Sequence, residues 1–298
     1  MTPFLYPKPL QVGDTIAVIS PSGALRNTEP FQEGLKIWRD RAYKLKLISP
    51  YEQHGGYLAG TDEQRRHALS EAWTNPEYKA ILCSRGGYGS MRLLENWSWD
   101  RSLPPKWLLG FSDITALQWS LYQQQIISLH APVLTTLAEE PQWSIERLFN
   151  YLENKTLSSL QGEGWGGGMA TGRLLPANLT VATHLLGTSL QPCLEGVILA
   201  LEDVAESPYR IDRMLTQWRL SRLLQQVAGI ALGRFSRCEA PTGSVSWSVE
   251  EVLRDRAEDL NCPIVSKLPF GHDGVNAALP VGEMVTLDGD RGELVISY

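Results

Sequence analysis

The sequence has no lysine- or arginine-rich run, no long apolar stretch and no closely spaced cysteines, and each absence removes a class of function. With 27 basic against 33 acidic residues the net charge is −6, which argues against a nucleic-acid partner. No apolar stretch approaches the roughly 18 residues that a membrane span needs. The start, Met1-Thr2-Pro3-Phe4-Leu5-Tyr6-Pro7-Lys8, shows no charged leader followed by an apolar core, so a cytoplasmic location is expected. Cys83, Cys193, Cys238 and Cys262 are widely separated and form no CxxC pair. That spacing argues against a structural zinc site and against a disulfide framework, and most of the four are expected as buried free thiols. No HExxH and no His/Asp cluster points to a catalytic metal, and no cofactor is expected.

What remains is the composition of a soluble globular protein: 298 residues, 43% hydrophobic and 20% charged, enough for two domains. Ten tryptophans suit core packing, with some available to line a groove. The first half alternates strand-like and helix-like segments. Thr15–Ser20, Leu45–Ser49, Lys79–Ser84 and the run ending at Gly110 read as strands. Helical patterns lie at Phe31–Ala42, from the capping-box sequence Thr61-Asp62-Glu63-Gln64 to near Trp73, at Met91–Asn96 and after Ser112. This alternation predicts an α/β fold with a parallel sheet and helices on both faces. Ligands in such sheets sit beyond the carboxyl ends of the strands, where Gly86-Gly87 and Ser112 fall.

The segment Gln161-Gly162-Glu163-Gly164-Trp165-Gly166-Gly167-Gly168 is expected as a flexible linker, since glycine is costly in regular elements. Trp165 is a candidate lid residue within it. The expected organisation is an N-terminal domain over 1–160, a linker over 161–172 and a smaller domain over 173–298. The smaller domain reads as mixed α/β with a twisted or barrel-like sheet. Its elements are a buried strand Val197–Leu201, helices at Pro208–Leu224 and Ser248–Leu260, short strands Ile230–Leu232 and Ile264–Ser266, and a hairpin turning at Asp288-Gly289-Asp290-Arg291-Gly292.

The most informative stretch is Gly110-Phe111-Ser112-Asp113, where an apolar strand gives way to a helical pattern with Ile114, Leu117 and Leu121 on one face. A serine there is either a helix cap or a nucleophile beside unsatisfied helix N–H groups. The second glycine of G-x-S-x-G is replaced by Ile114, so the sharp elbow of the α/β-hydrolases is not expected. A serine nucleophile requires a base. His67 lies in a polar helix and should be solvated, His184 sits on a helical pattern expected to be at least half-buried, and His54 lies in a loop. His272, between Gly271 and Asp273-Gly274, is ranked first on spacing, as part of an exposed and sharply turning loop; His130, at a strand end, is second. Glu202 and Asp203 stand where a buried strand stops, one to orient the base or either to cap the next turn. Backbone N–H groups of Asp113 and of the Gly86-Gly87 turn are candidate oxyanion donors. A phosphate-binding reading of Gly86-Gly87-Tyr88-Gly89 is weaker, because the Gly-Lys-Ser/Thr ending is missing.

Taken together, these pieces resemble the LD-carboxypeptidase family, the S66 serine peptidases. The matching motifs are Val12-Gly13-Asp14, Ser20-Pro21-Ser22, Gly56-Tyr57-Leu58-Ala59-Gly60-Thr61-Asp62, Ser84-Arg85-Gly86-Gly87-Tyr88-Gly89 and Gly110-Phe111-Ser112-Asp113. Leu201-Glu202-Asp203, Pro208-Tyr209-Arg210-Ile211-Asp212-Arg213 and Gly271-His272 follow in family order. The resemblance implies Ser112 as nucleophile, His272 as general base and Glu202 as orienting acid, with oxyanion donors from Asp113 and from Gly87 in preference to Gly86. It also implies a metal-free cytoplasmic enzyme, often a homodimer, with a Rossmann-like N-terminal domain, a smaller C-terminal domain and the site between them. Such enzymes cleave the bond between an L-centre and a D-residue, typically releasing the terminal D-alanine of muropeptide tetrapeptides in cell-wall recycling. One departure is Pro176-Ala177-Asn178-Leu179 where many relatives have Gly-Gly-Asn-Leu; it bears on substrate contacts at Asn178, not on the triad.

A carboxypeptidase must also recognise a free carboxylate, and Arg85 is a candidate clamp; Arg210 and Arg213 lie elsewhere. Two other functions compete. One is a microcin C-type immunity peptidase acting on aminoacyl-nucleotide conjugates, where Trp165 would stack on a base. The other is a cleft-binding protein without turnover, against which the intact Ser/Glu/His set argues.

Overall fold

The computed structural model describes residues 3–48 and 55–296; His54 and the end of the expected strand at Ser49 lie outside the described residues. The chain divides into two compact units, Met1–Leu157 with Ala277–Gly282, and Ser158–Asn276 with Glu283–Tyr298.

The first unit contains β1 (Thr15–Ile19), α1 (Glu29–Asp40), β2 (Lys44–Leu47), α2 (Asp62–Thr74), β3 (Tyr78–Cys83) and α3 (Ser90–Leu93). It continues with β4 (Trp107–Gly110), α4 (Thr115–Gln123), β5 (Ser128–His130), α5 (Leu134–Leu137) and α6 (Gln142–Asn154). The expected capping box starts α2: Thr61 Oγ1 accepts from the Gln64 N–H and Gln64 Oε1 from the Thr61 N–H. Ile114, Leu117 and Leu121 are all fully buried. β1 to β5 are mutually parallel in the order β5-β4-β3-β1-β2. Strand order reverses between β1 and β3, the switch point where doubly wound sheets open a crevice at the strands' carboxyl ends.

The sixth strand of this sheet, Leu279–Val281 (β12 in chain order), pairs antiparallel with β5. The reading of 173–298 as one continuous domain did not contain it. Three buried residues, the middle one a proline, give no periodicity to read, yet they cover the open edge of β5.

The second unit holds β6 (Leu160–Gln161), β7 (Glu163–Gly164), β8 (Met169–Asn178), α7 (Leu179–Leu185), β9 (Val197–Val204), α8 (Pro208–Leu220) and β10 (Gly229–Ser236). After these come α9 (Val249–Ala257), β11 (Ile264–Ser266) and the hairpin of β13 (Met284–Asp288) and β14 (Glu293–Ile296). The sheet order is β6-β14-β13-β8-β9-β10-β11-β7, with β8 to β11 parallel and the remaining pairs antiparallel.

The glycine-rich segment is not a linker. Its two short strands form opposite edges of this sheet, joined by Gly162 alone, so that one segment closes the sheet on itself. Trp165 N–H donates to Ile264 O (2.9 Å) and Gly166 N–H to Gly289 O (2.9 Å). The glycines serve close backbone approach rather than flexibility: a Cβ on Gly164 would stand 2.2 Å from Gly289 O, and one on Gly167 2.3 Å from Cys262 O. Among the described residues no helix is long and apolar enough to cross a membrane.

Candidate active site

Ser112 follows β4 and opens a 3-10 turn, Ser112–Ile114, that leads into α4. Its φ is +62°, a left-handed conformation that costs a non-glycine residue on the order of 1–3 kcal/mol and persists only where the surroundings enforce it. The sharp elbow, not expected without the second glycine, is therefore present. Gly110 makes it possible: a Cβ there would stand 2.8 Å from Ile114 Cγ1, so one glycine gives Ile114 the space that two glycines share in G-x-S-x-G. Neither the 3-10 turn nor α4 has a side-chain cap, so Ser112 is not a cap.

Gly86 faces the serine. A Cβ on Gly86 would lie 3.0 Å from Ser112 Oγ and 3.6 Å from the Asp113 nitrogen. Among the described residues the Gly86 and Gly87 N–H groups donate to no backbone acceptor. Gly87 has φ +112°, available to glycine at little cost.

One carboxylate ties together the loops after β1, β3 and β4. Asp113 Oδ2 accepts from Ser22 Oγ at 2.5 Å and from the Ser90 N–H at 2.8 Å, and Ser90 Oγ donates to Asp113 O at 2.5 Å. All three residues are buried. Behind them the buried Arg65 donates to Pro21 O and Gly89 O and pairs with Asp62. Burial lowers the Arg65 pKa, which Asp62 partly restores. Ser90 and Arg65 were not anticipated and Ser22 entered only as part of a family motif; a serine opening a short helix and a mid-helix arginine have no distinctive spacing.

In the second unit Glu202 and Asp203 take separate tasks. β9 runs on to Val204 rather than stopping before them. Glu202 is fully buried, and His272 Nδ1 lies 2.6 Å from its Oε2. Burial pulls the His272 pKa down, but the hydrogen bond and charge of Glu202, with Asp203 and Asp273 behind it, outweigh burial and the net shift is upward. Asp203 instead serves α7: its Oδ2 accepts from Thr180 N (2.9 Å) and Thr180 Oγ1 (2.7 Å), and its Oδ1 from the Val204 N–H (2.8 Å). Burial raises the Asp203 pKa despite these bonds.

Asn178, a candidate substrate contact, is spent internally. Its Nδ2 donates to Glu202 Oε1 (3.2 Å) and Asp203 Oδ1 (2.9 Å), while its Oδ1 accepts from Val181 N (3.1 Å) and caps α7. It positions the two acids.

The His272 loop turns sharply, with left-handed φ at Gly271, Asp273 and Gly274, but His272 is not exposed: its side chain is 16% accessible. A Cβ on Gly271 would lie 3.0 Å from Glu202 Cβ, so this glycine lets the loop settle onto β9. Ser236 Oγ and Arg234 Nε both donate to His272 O, at 2.6 and 3.3 Å, and Asn276 Oδ1 accepts from Gly271 N at 3.0 Å.

The other histidines fall elsewhere. His130 is fully buried on β5, edge-on to Phe111 at 5.8 Å. His67 is exposed as expected; His184 is exposed rather than half-buried, with Nδ1 2.7 Å from Thr180 O. Trp165, the candidate lid, has its backbone in the sheet closure and its ring covered by the Arg254 guanidinium at 4.1 Å. Arg85 is half-buried, with Nη1 donating to Ala24 O at 2.5 Å. Among the described residues no group of three or more His, Cys, Asp or Glu could hold a metal ion.

Residues 16–131 match the LD-carboxypeptidase N-terminal domain and residues 171–287 the LD-carboxypeptidase C-terminal domain. A putative carboxypeptidase of Synechocystis is 60% identical, covering 98% of this chain and 97% of its own. The murein tetrapeptide carboxypeptidase of Pseudomonas aeruginosa is 32% identical, covering 93% of this chain and 94% of its own. The fold is shared with the microcin C7 self-immunity protein MccF, solved in complex with aspartyl sulfamoyl adenosine, at TM-score 0.88 and 23% identity over 99% of this chain and 98% of that one.

Proposed function

The chain belongs to the LD-carboxypeptidase family, peptidase S66, and we propose that it is a serine-type, metal-independent carboxypeptidase. Its substrate in this reading is a muropeptide tetrapeptide, from which it releases the terminal D-alanine during cytoplasmic cell-wall recycling. The observation that carries the chemistry is the buried Glu202 on His272 Nδ1. That bond leaves Nε2 as the proton acceptor and stabilises the imidazolium that forms. The substrate class is supported by the 32% identity to the murein tetrapeptide enzyme. Four unpaired cysteines suit a reducing compartment.

In this mechanism Ser112 Oγ attacks the scissile carbonyl carbon as His272 Nε2 takes its proton. The C–O bond forms and the carbonyl oxygen becomes an oxyanion, held by the Asp113 N–H and the Gly87 N–H, with Gly86 as the other candidate. One such donor is typically worth about 2.7–4 kcal/mol in the transition state. Collapse breaks the C–N bond, and the imidazolium gives its proton to the departing D-alanine amine. Water, deprotonated by His272, then attacks the acyl-enzyme and restores Ser112. Arg85 is assigned to the leaving carboxylate.

The left-handed Ser112 also supports the catalytic reading over a non-catalytic binding protein, because that turn sets its hydroxyl against Gly86 and beside the Asp113 N–H without a capping bond. The nucleotide-conjugate reading is weaker at its stacking residue, since Arg254 already lies over one face of the Trp165 ring. The test is D-alanine release from a muropeptide tetrapeptide by wild type and Ser112→Ala, with and without a chelator, beside an aminoacyl sulfamoyl adenosine. Release abolished by the substitution and indifferent to chelation is expected; full activity in Ser112→Ala, loss on chelation or turnover of the nucleotide conjugate alone would overturn it.

A further inference from the structure

A hollow of about 490 Å³ in the first unit is lined by Arg26 and Arg85 with Tyr57, Tyr88, Gly23 and Gly87. It lies at the carboxyl ends of β1 and β3, the switch point of the sheet. Among the described residues two guanidiniums share this lining and no carboxylate does. Burial lowers the Arg85 pKa and the like charge of Arg26 lowers it further; two cations placed together favour an anion between them. Tyr57 and Tyr88 are exposed, their rings tilted against each other at 5.8 Å, and form a half-apolar wall. The floor is open because Gly23 and Gly87 carry no side chains: Cβ atoms there would stand 3.5 Å from Arg85 Cζ and 3.6 Å from Arg85 Nη2. Arg85 Nη1 is committed to Ala24 O, which fixes the guanidinium plane while its other donors remain. Arg85 adjoins Gly86, whose Cβ position lies 3.0 Å from Ser112 Oγ.

We propose that Arg26 and Arg85 together form a two-guanidinium seat for the free carboxylate of the residue being released, and that Arg26, with the tyrosine wall, determines specificity for a C-terminal rather than an internal residue. The inference rests on the proposed carboxypeptidase reading and deepens it. In a C-terminal residue the carboxylate is joined to the carbon that bears the scissile nitrogen, so its seat must adjoin the serine, as this hollow does. Guanidinium forks match carboxylate geometry, and the exposed Arg26 supplies steering that the half-buried Arg85 does not.

The experiment compares kcat/KM for a muropeptide tetrapeptide ending in a free carboxylate with that for its C-terminal carboxamide, in wild type, Arg26→Met, Arg26→Lys and Arg85→Met. Wild type should prefer the carboxylate by about 100-fold or more; Arg26→Met should cut that preference about tenfold through KM, Arg26→Lys should recover part of it, and Arg85→Met should cut it at least as far. Thermal melts exclude misfolding as the cause. A preference unchanged in Arg26→Met, or lost through kcat alone, overturns the seat. Labelling of wild-type Ser112 by a small neutral fluorophosphonate, which carries no carboxylate, tests the serine reading separately: a labelled serine with an unaltered carboxylate preference refutes the seat alone, and an unlabelled serine refutes the reading beneath it.

Discussion

The unit that carries Ser112 and the unit that carries His272 fix their candidate residues by different means. In the first, the backbone is the device: a left-handed serine, N–H groups at strand ends and a floor of glycine, with Asp113 clamping three loops from inside. In the second, a side-chain pair is the device: a carboxylate without solvent contact holds one imidazole, while the neighbouring Asp203 absorbs the hydrogen-bonding demands of α7. The first half should therefore be sensitive to shape and the second to charge.

The largest effect should come from the proposed nucleophile and base. Ser112→Ala and His272→Ala should each lower kcat for D-alanine release by about 10⁴-fold or more, and the double variant little further, because groups that act as a unit do not add. Additive losses would break the pairing of the two units into one mechanism. Next is Glu202→Gln, which retains shape and removes charge. A loss on the order of 10³–10⁴-fold in kcat is expected. The pH profile gives the sign: in the proposed mechanism His272 acts as a base when neutral, and its pKa lies above the ordinary 6.5. Activity in wild type should therefore begin to fall on acidification at a pH above that value, and in Glu202→Gln the acid limb should move to lower pH. An acid limb that stays in place would mean that charge does not distinguish the second unit.

Asp113→Asn probes the first unit in the same way. Asparagine keeps the size but replaces one of the carboxylate oxygens that serve Ser22 Oγ and the Ser90 N–H with an amide nitrogen. The expected cost is about 1–3 kcal/mol in stability and a fall of roughly 10–100-fold in kcat through misplaced oxyanion donors, with the pH profile unmoved. A shifted pH profile would contradict the division between shape and charge. The smallest effect is expected of Trp165→Phe. The ring lies under Arg254 in the sheet closure, so melting temperature should drop slightly while kcat/KM holds within about twofold; a large loss of activity with intact stability would reinstate it as a substrate contact.

The two units were unequally legible in the sequence. As far as α4 the first could be read almost strand by strand, because there the buried strands are β-branched or leucine runs, the helices carry a cap or an apolar stripe, and Gly86, Gly87 and Ser112 mark strand ends; α5 and α6 were not read. The closure of the second sheet could not. Five glycines among residues 161–168 look like flexibility in one dimension, and only the carbonyls of Cys262 and Gly289, about a hundred residues away, reveal why side chains are excluded there. The edge strand Leu279–Val281 is too short to carry a period. At the site, family resemblance supplied Glu202 over Asp203, whereas their separate tasks follow from Asn178 and Thr180, which reach them across neighbouring elements. The elbow at Ser112 was missed because the familiar pattern asks for two glycines, while packing needs only that one of the two facing positions be empty.

The central claim is that the imidazole held by Glu202 activates the hydroxyl of Ser112. Its most direct measurement is the rate of covalent labelling of Ser112 by a neutral fluorophosphonate, followed by intact-protein and peptide mass spectrometry across pH in wild type and His272→Ala. The account predicts a single label on Ser112, a rate that rises with pH through a histidine titration above 6.5, and a loss of about 10³-fold or more in His272→Ala. Labelling of Ser112 at the same rate in His272→Ala, or labelling of a different residue, would contradict it.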